Sequence, residues 1–287
     1  MPLAACGQFC ATNILSANLI SCQTLLRKAA SGGAKALFLP EASDYISTSP
    51  EETLKLCVPA VESVFVRGLQ EEAKRLALPV NVGIHEPTLD GKKDRVRNMS
   101  IWIDERGEIV ERYQKLHVFD VDIEGGPKIV ESRTTEPGSV ITPPFDTVVG
   151  KLGMLICFDL RFPEPSLQLR RLGADIISYP SAFTIPTGQV HFEILLRARA
   201  IETQSYVFAA AQIGKHNERR SSYGHTMIVD PWGKVVAECS RVKVGDVPKP
   251  AGDVEPEICF AEVDASLLER VRREVPLKRR FDVYPEV

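Results

Sequence analysis

Short apolar runs alternate along this chain with segments of helical period, and glycine or proline stands at many of the junctions. That alternation confines the fold to sheets carrying helices on their faces. Leu3–Ala11 reads as a first strand. Ser16–Ala30 then sets Leu19, Ile20, Cys22, Leu25 and Leu26 largely on one helical face and stops at Gly32-Gly33, a C-terminal helix signal. Ala36-Leu37-Phe38-Leu39 is a buried-strand run broken by Pro40, Pro59–Leu76 is helical in period, and Leu78–Gly83 returns to strand. Met99–Asp104 and Glu108–Tyr113 flank Glu105-Arg106-Gly107 as a hairpin would. Leu152–Cys157 reads as another buried strand, followed by Pro163–Leu172 as a helix with proline in its first turn. Further segments follow at Asp175–Tyr179, Gln189–Thr203, Tyr206–Gln212, Thr226–Val229, Val235–Glu238 and Ile258–Val263. Hairpins interrupting the alternation predict an α/β protein with mixed sheets rather than one purely parallel sheet.

The chain has 287 residues, enough for one large domain at roughly 100–200 residues per domain. Its most linker-like stretch, Gly245–Gly252, reads as a surface loop, so the expectation is a single domain over residues 1–287. Lys+Arg total 35 against 38 Asp+Glu, which gives no general attraction to nucleic acid or to an anionic membrane. No apolar run approaches the ~20 residues that span a bilayer, and the first residues lack a secretory pattern. Seven cysteines cannot all pair within one chain, and reduced thiols point to the cytoplasm, with mitochondria as the alternative.

Three residues invite a chemical reading. Glu41 follows a buried strand and Pro40, although taken alone it reads first as a solvated loop glutamate. Lys115 stands at another strand exit, where a lone lysine usually faces solvent. Cys157 ends an apolar run and precedes a sharp connector and a proline-started helix, so its thiol would be presented on an elbow near backbone N–H groups. The competing reading is a small packed hydrophobe, which is favoured for Cys6, Cys10, Cys22, Cys57, Cys239 and Cys259. Cys6 and Cys10 match no redox or zinc spacing. A Cys–His pair with one of the five histidines stays open. A carboxylate to deprotonate the thiol and an ammonium to hold an oxyanion also make a complete set.

Leu39-Pro40-Glu41-Ala42, Tyr113-Gln114-Lys115-Leu116-His117-Val118-Phe119-Asp120 and Ile156-Cys157-Phe158-Asp159-Leu160-Arg161-Phe162-Pro163-Glu164 resemble, in order, the three signature blocks of the nitrilase superfamily of carbon–nitrogen hydrolases. The resemblance runs nearly from end to end of the chain. It implies a four-layer αββα sandwich, assembled into a homodimer or larger homo-oligomer with the tail of about residues 275–287 at the interface. It further implies Glu41 as general base, Lys115 as oxyanion stabiliser, Cys157 as nucleophile, and Glu131 as a second active-site glutamate in preference to Glu124 or Glu136. The Phe158 N–H would join Lys115 in the oxyanion hole, and no metal or other cofactor is required.

Within the superfamily, Pro180-Ser181-Ala182-Phe183 and the segment from Ala209 through His225 look most like the deaminated-glutathione amidase branch. The resemblance therefore implies a small anionic amide as substrate, cut through a thioester. The alternative is an ω-amidase releasing ammonia from 2-oxoglutaramate. An anionic substrate needs cations or oriented donors. Candidate binding residues are Phe158, Arg161, Ser181, Phe183, Arg197, Arg219, Arg220 and Tyr223. Arg197 and Arg199 lie two apart on a helix, so at most one faces the pocket, and Arg219-Arg220 reads equally as a solvated loop pair. A catalytically silent binding protein and a redox-sensing thiol protein remain competing functions.

Overall fold

The computed structural model describes residues 1–92, 94–122, 124 and 128–284. Among these, two large mixed sheets lie face to face. The first runs in the order Glu257–Glu262, Leu3–Gln8, Ala36–Phe38, Val80–Pro87, Val96–Ile103, Ile109–Gln114, with Thr135–Glu136 also paired to Val96–Ile103. The second runs Val235–Glu238, Met227–Val229, Tyr206–Ala209, Ile176–Ser178, Gly150–Met154, Phe145–Thr147. Three neighbouring strands of each sheet are parallel: 3–8, 36–38 and 80–87 in one, 150–154, 176–178 and 206–209 in the other.

Both faces of these central strands are buried, which is why they read as unbroken apolar runs instead of alternating patterns. Ala4, Cys6, Ala36 and Phe38 point between the sheets, into a core shared with Met154, Tyr206 and Phe208. Their neighbours Ala5, Leu37 and Leu39 point the other way, under Leu25, Leu26, Phe65 and Leu69 of the helices Leu15–Ser31 and Val64–Leu76. Phe38 meets Phe208 edge-on at 4.7 Å across the sandwich. On the far side, the helices Pro163–Arg171 and Glu193–Thr203 bury Leu169, Leu196 and Ala200 against the second sheet. A Cβ on Gly153 would stand 2.9 Å from Leu169, so this glycine sets how closely that helix approaches. Each large side chain so buried contributes about 1.5–3 kcal/mol. The order of layers is helix, sheet, sheet, helix, as the resemblance implied.

Several boundaries differ from expectation. The helix expected from Pro59 starts at Val64, where the Ser63 hydroxyl accepts from the Val66 N–H. The strand expected to reach Cys157 ends at Met154, and a 3-10 turn begins at Cys157 itself. Helix Pro50–Leu56, announced by Ser49-Pro50-Glu51-Glu52, and the hairpin Ile213–Asn217/Arg220–Tyr223 were not read from the pattern. In the tail, Leu277, Phe281, Val283 and Tyr284 are exposed, and residues 285–287 lie outside the described residues. Among the described residues no helix is long and apolar enough to cross a membrane.

Candidate active site

Three strand exits converge at one end of the sandwich. Strand Ala36–Phe38 runs through Leu39 and Pro40 to Glu41. There the Gly83 N–H donates to the Pro40 carbonyl at 3.0 Å, and the Ser43 N–H donates to the Gly83 carbonyl at 2.8 Å. A Cβ on Gly83 would lie 2.5 Å from the Glu41 Cα, so only glycine lets the two backbones meet. Strand Ile109–Gln114 delivers Lys115, whose N–H donates to the Asn98 carbonyl at 2.9 Å. Strand Gly150–Met154 delivers Cys157, with its N–H donating to the Pro180 carbonyl at 3.0 Å. Cys157 has φ +42°, a left-handed conformation that stores about 1–3 kcal/mol in a non-glycine residue.

The side chains interlock. Lys115 Nζ donates to Glu41 Oε1 at 2.9 Å and to Glu131 Oε2 and Oε1 at 2.9 and 3.2 Å. Asn98 Nδ2 donates to the same Glu41 Oε1 at 2.8 Å and to Glu131 Oε1 at 3.2 Å. The Phe119 N–H holds Glu131 Oε2 at 2.6 Å. Glu41, Lys115 and Cys157 retain only 3, 2 and 7% of their surface. Burial pushes the Glu41 carboxyl up, but the Lys115 charge and hydrogen bonds from the Cys157 thiol and Lys115 outweigh it, so Glu41 is held below the ordinary glutamate range. Burial disfavours the Lys115 ammonium, yet Glu131 and Glu41 together keep it above the usual lysine value. Burial and the Glu41 charge push the Cys157 thiol well up, against the pull of Lys115. At neutral pH the group therefore rests as carboxylate, ammonium and thiol. This set can take a proton from sulfur onto Glu41 as sulfur attacks, and can hold a developing oxyanion against Lys115.

Above it opens a cleft of about 490 Å³ whose lining includes Tyr45, Phe119, Phe158, Phe183, Arg219 and Arg220. Of the residues expected to bind substrate, Phe158, Phe183, Arg219 and Arg220 line this cleft. Arg219 sits in the turn of the 213–223 hairpin and Arg220 opens its second strand; neither makes an ion pair among the described residues, while the Arg220 charge reaches Glu41. Arg161 lies behind that wall, its guanidinium 5.7 and 5.8 Å from the rings of Phe158 and Phe183 and 3.2 Å from His191 Nδ1.

Three expectations are corrected. Arg197 faces away, donating to the Gly233 carbonyl at 2.9 Å and pairing with Glu193, because its helical register carries it to the outer surface. Arg199 is buried, on Glu202 and the Leu160 carbonyl, so neither of the two lines the cleft. Ser181 is buried and spends its hydroxyl on the Tyr179 carbonyl. Tyr223 packs its ring over Gly188 and edge-on to His225, outside the cleft lining. The pattern reading passed over Asn98, whose only sequence signal is a polar residue inside an otherwise buried strand. Among the described residues no group of His, Cys, Asp and Glu is arranged to hold a metal ion.

The profile of the carbon–nitrogen hydrolase family matches residues 3–273, a span holding both sheets and all three strand exits, and the chain belongs to that family. It is a hydrolase acting on amide carbon–nitrogen bonds, and its fold is that of nitrilase-superfamily structures. It is 46% identical over 288 residues to a probable hydrolase, nit2, of Schizosaccharomyces pombe, covering 100% of both chains. It is 42% identical over 288 residues to the deaminated glutathione amidase of Homo sapiens, covering 99% of this chain and 84% of that one. Nit3 of Saccharomyces cerevisiae, a nitrilase-superfamily member of known structure, superposes with a TM-score of 0.81 at 30% identity, covering 97% of this chain and 96% of that one.

Proposed function

We propose that this amidase hydrolyses deaminated glutathione to 2-oxoglutarate and cysteinylglycine, with Cys157 as nucleophile. The observation that carries the reading is one cleft joining the buried Glu41–Lys115–Cys157 set to Arg219 and Arg220 beside it, which make no ion pair among the described residues. A substrate with its amide in the middle and carboxylates at its ends needs both features together. Similarity to enzymes named deaminated glutathione amidase supports the same choice. In this reading Cys157 Sγ attacks the amide carbonyl while Glu41 accepts the thiol proton. Lys115 and the Phe158 N–H stabilise the tetrahedral oxyanion, each donor being worth about 3–4 kcal/mol in comparable sites. Glu41 returns its proton to the departing amine, leaving a thioester on Cys157. Water then adds to the thioester, losing its proton to Glu41, and collapse releases the acid and the thiol. Glu131 holds the Lys115 ammonium in place. All seven cysteines are unbridged, which supports work in a reducing compartment, the cytoplasm foremost. The exposed apolar side chains of the tail support a homodimer interface there.

The test is incubation of the wild type and Cys157→Ala with deaminated glutathione, 2-oxoglutaramate, glutamine and a simple nitrile, following acid, amine and ammonia by mass spectrometry. Cysteinylglycine released by the wild type alone is the expected result. Ammonia from 2-oxoglutaramate at higher kcat/KM would overturn the substrate in favour of an ω-amidase. Turnover by Cys157→Ala would overturn the mechanism.

A further inference from the structure

A carboxylate absent from the reaction just described lies buried between two of the strand exits. Asp159 has no exposed surface and does not line the cleft. Its Oδ1 accepts from the His117 N–H at 3.0 Å and faces His117 Nδ1 at 2.7 Å. Its Oδ2 accepts from the Tyr113 hydroxyl at 2.7 Å and from the Ile156 N–H at 3.0 Å. A carboxylate offers about four acceptor positions, and here four donors meet it. Those donors are not scattered. Tyr113 and His117 stand two residues before and two after Lys115, and Ile156 immediately precedes Cys157. Tyr113 belongs to the last strand of the first sheet, whereas Ile156 follows a strand of the second. The His117 ring is fixed in turn by stacking on Phe162 at 3.7 Å, and the Phe162 N–H donates to the Asp159 carbonyl.

We propose that Asp159 is a positioning residue that sets the distance between the Cys157 sulfur and the Lys115 ammonium by fastening both strand exits, one from each sheet, to a single carboxylate. The inference rests on the roles given above to Cys157 and Lys115. Cys157 occupies a left-handed conformation that the chain does not adopt unaided, and the bond from Ile156 to Asp159 braces the residue just before it. An oxyanion formed at Cys157 must land within hydrogen-bond reach of Lys115, and a misplacement of about 1 Å costs on the order of a hundredfold in rate. Substrate affinity should be spared, because Arg219 and Arg220 ride on a separate hairpin.

Asp159→Asn keeps the shape but replaces one acceptor oxygen by a donor, so one pair of donors loses its partner. Tyr113→Phe removes a single hydroxyl. Both are to be compared with wild type and Cys157→Ala for kcat and KM on deaminated glutathione, for the pH profile of iodoacetamide alkylation read at the Cys157 peptide, and for folding by circular dichroism. Asp159→Asn should lower kcat at least tenfold with KM within about twofold, and should displace the alkylation profile. Tyr113→Phe should do the same to a smaller degree. A folded Asp159→Asn with wild-type kcat and alkylation profile would overturn the proposal while an inactive Cys157→Ala left the underlying reading standing. Activity in Cys157→Ala would overturn both. If Asp159→Asn does not fold, Tyr113→Phe decides: a lower kcat at constant KM supports the brace, and an unchanged kcat ends it.

Discussion

Glu41 divides its labour between two oxygens. Oε1 already receives Lys115 and Asn98, so both its lone pairs are engaged and the other oxygen is the one open to the thiol. Asn98 thereby takes part in choosing the base without touching the reacting sulfur. Because Glu41 is held below the ordinary glutamate value of 4.5, its base form survives to lower pH, and the acid limb of kcat/KM should fall below about pH 4.5. Asn98→Leu removes a donor that favours the charged form, so the limb should move to higher pH; a pH–rate profile that superposes on the wild type would refute this. Lys115→Met is more severe. It strips Glu41 and Glu131 of a shared cation, and should reduce kcat by about 10²–10³-fold while destabilising the fold by about 3–5 kcal/mol in urea titration. Glu41, Lys115 and Cys157 could be found in the sequence because each lies in a block that resembles a family signature; their places at strand ends alone left Glu41 and Lys115 reading as solvent-facing residues. Asn98 could not, since a polar residue pointing into a cleft and one pointing into solvent look alike in a one-dimensional pattern. Arg197 misled for the opposite reason: a guanidinium suits an anion, but only the helical register decides which way it faces.

Among the elements, the strand exits depend on glycines that let neighbouring backbones touch. Gly83→Ala would drive a methyl group against the Glu41 Cα and the Pro40 carbonyl, neither of which is a flexible chain end. It should destabilise the protein by about 1–3 kcal/mol and depress kcat. Gly252→Ala, with nothing within 4 Å of the added carbon, serves as the control that should change neither. Thermal unfolding and steady-state kinetics on the pair separate a packing effect from a general intolerance of alanine. The central strands were legible because burial on both faces makes them uniformly apolar. The hairpin that carries Arg219 and Arg220 was not, because Ile213-Gly214-Lys215-His216-Asn217 shows no two-residue alternation and its register shifts at Lys215/Asn217. A bulge of this kind breaks the periodicity on which strand recognition relies.

For the molecule as a whole, the alternation of strand and helix announced mixed sheets with helices outside them, the four-layer stacking was implied only by the family resemblance, and the long-range pairings followed from neither. One such tie is His216, a buried residue of the hairpin's first strand. Its Nδ1 lies 2.8 Å from the Ala11 carbonyl, to which it donates, and its Nε2 accepts from the Ser222 hydroxyl at 2.8 Å. Burial, reinforced by the Arg220 charge, brings its pKa down to about 3. The folded value lies below the unfolded one of about 6.5, so this contribution to stability is complete above pH 6.5 and declines as pH falls from there to about 3. Each unit is worth up to about 1.4 kcal/mol. Urea midpoints at pH 7 and pH 4 should therefore separate less in His216→Gln than in the wild type, and an equal separation would count against the assignment. The second tie is the pairing of Leu3–Gln8 with Glu257–Glu262. At about 5–20 residues per second, a ribosome needs on the order of tens of seconds between making the first of these strands and the second. Throughout that interval the 3–8 strand has an open hydrogen-bonding edge, the kind of edge that recruits foreign strands. A nascent chain of this protein is thus exposed to aggregation for most of its own synthesis, and chaperone occupancy should persist until residues 257–262 have emerged.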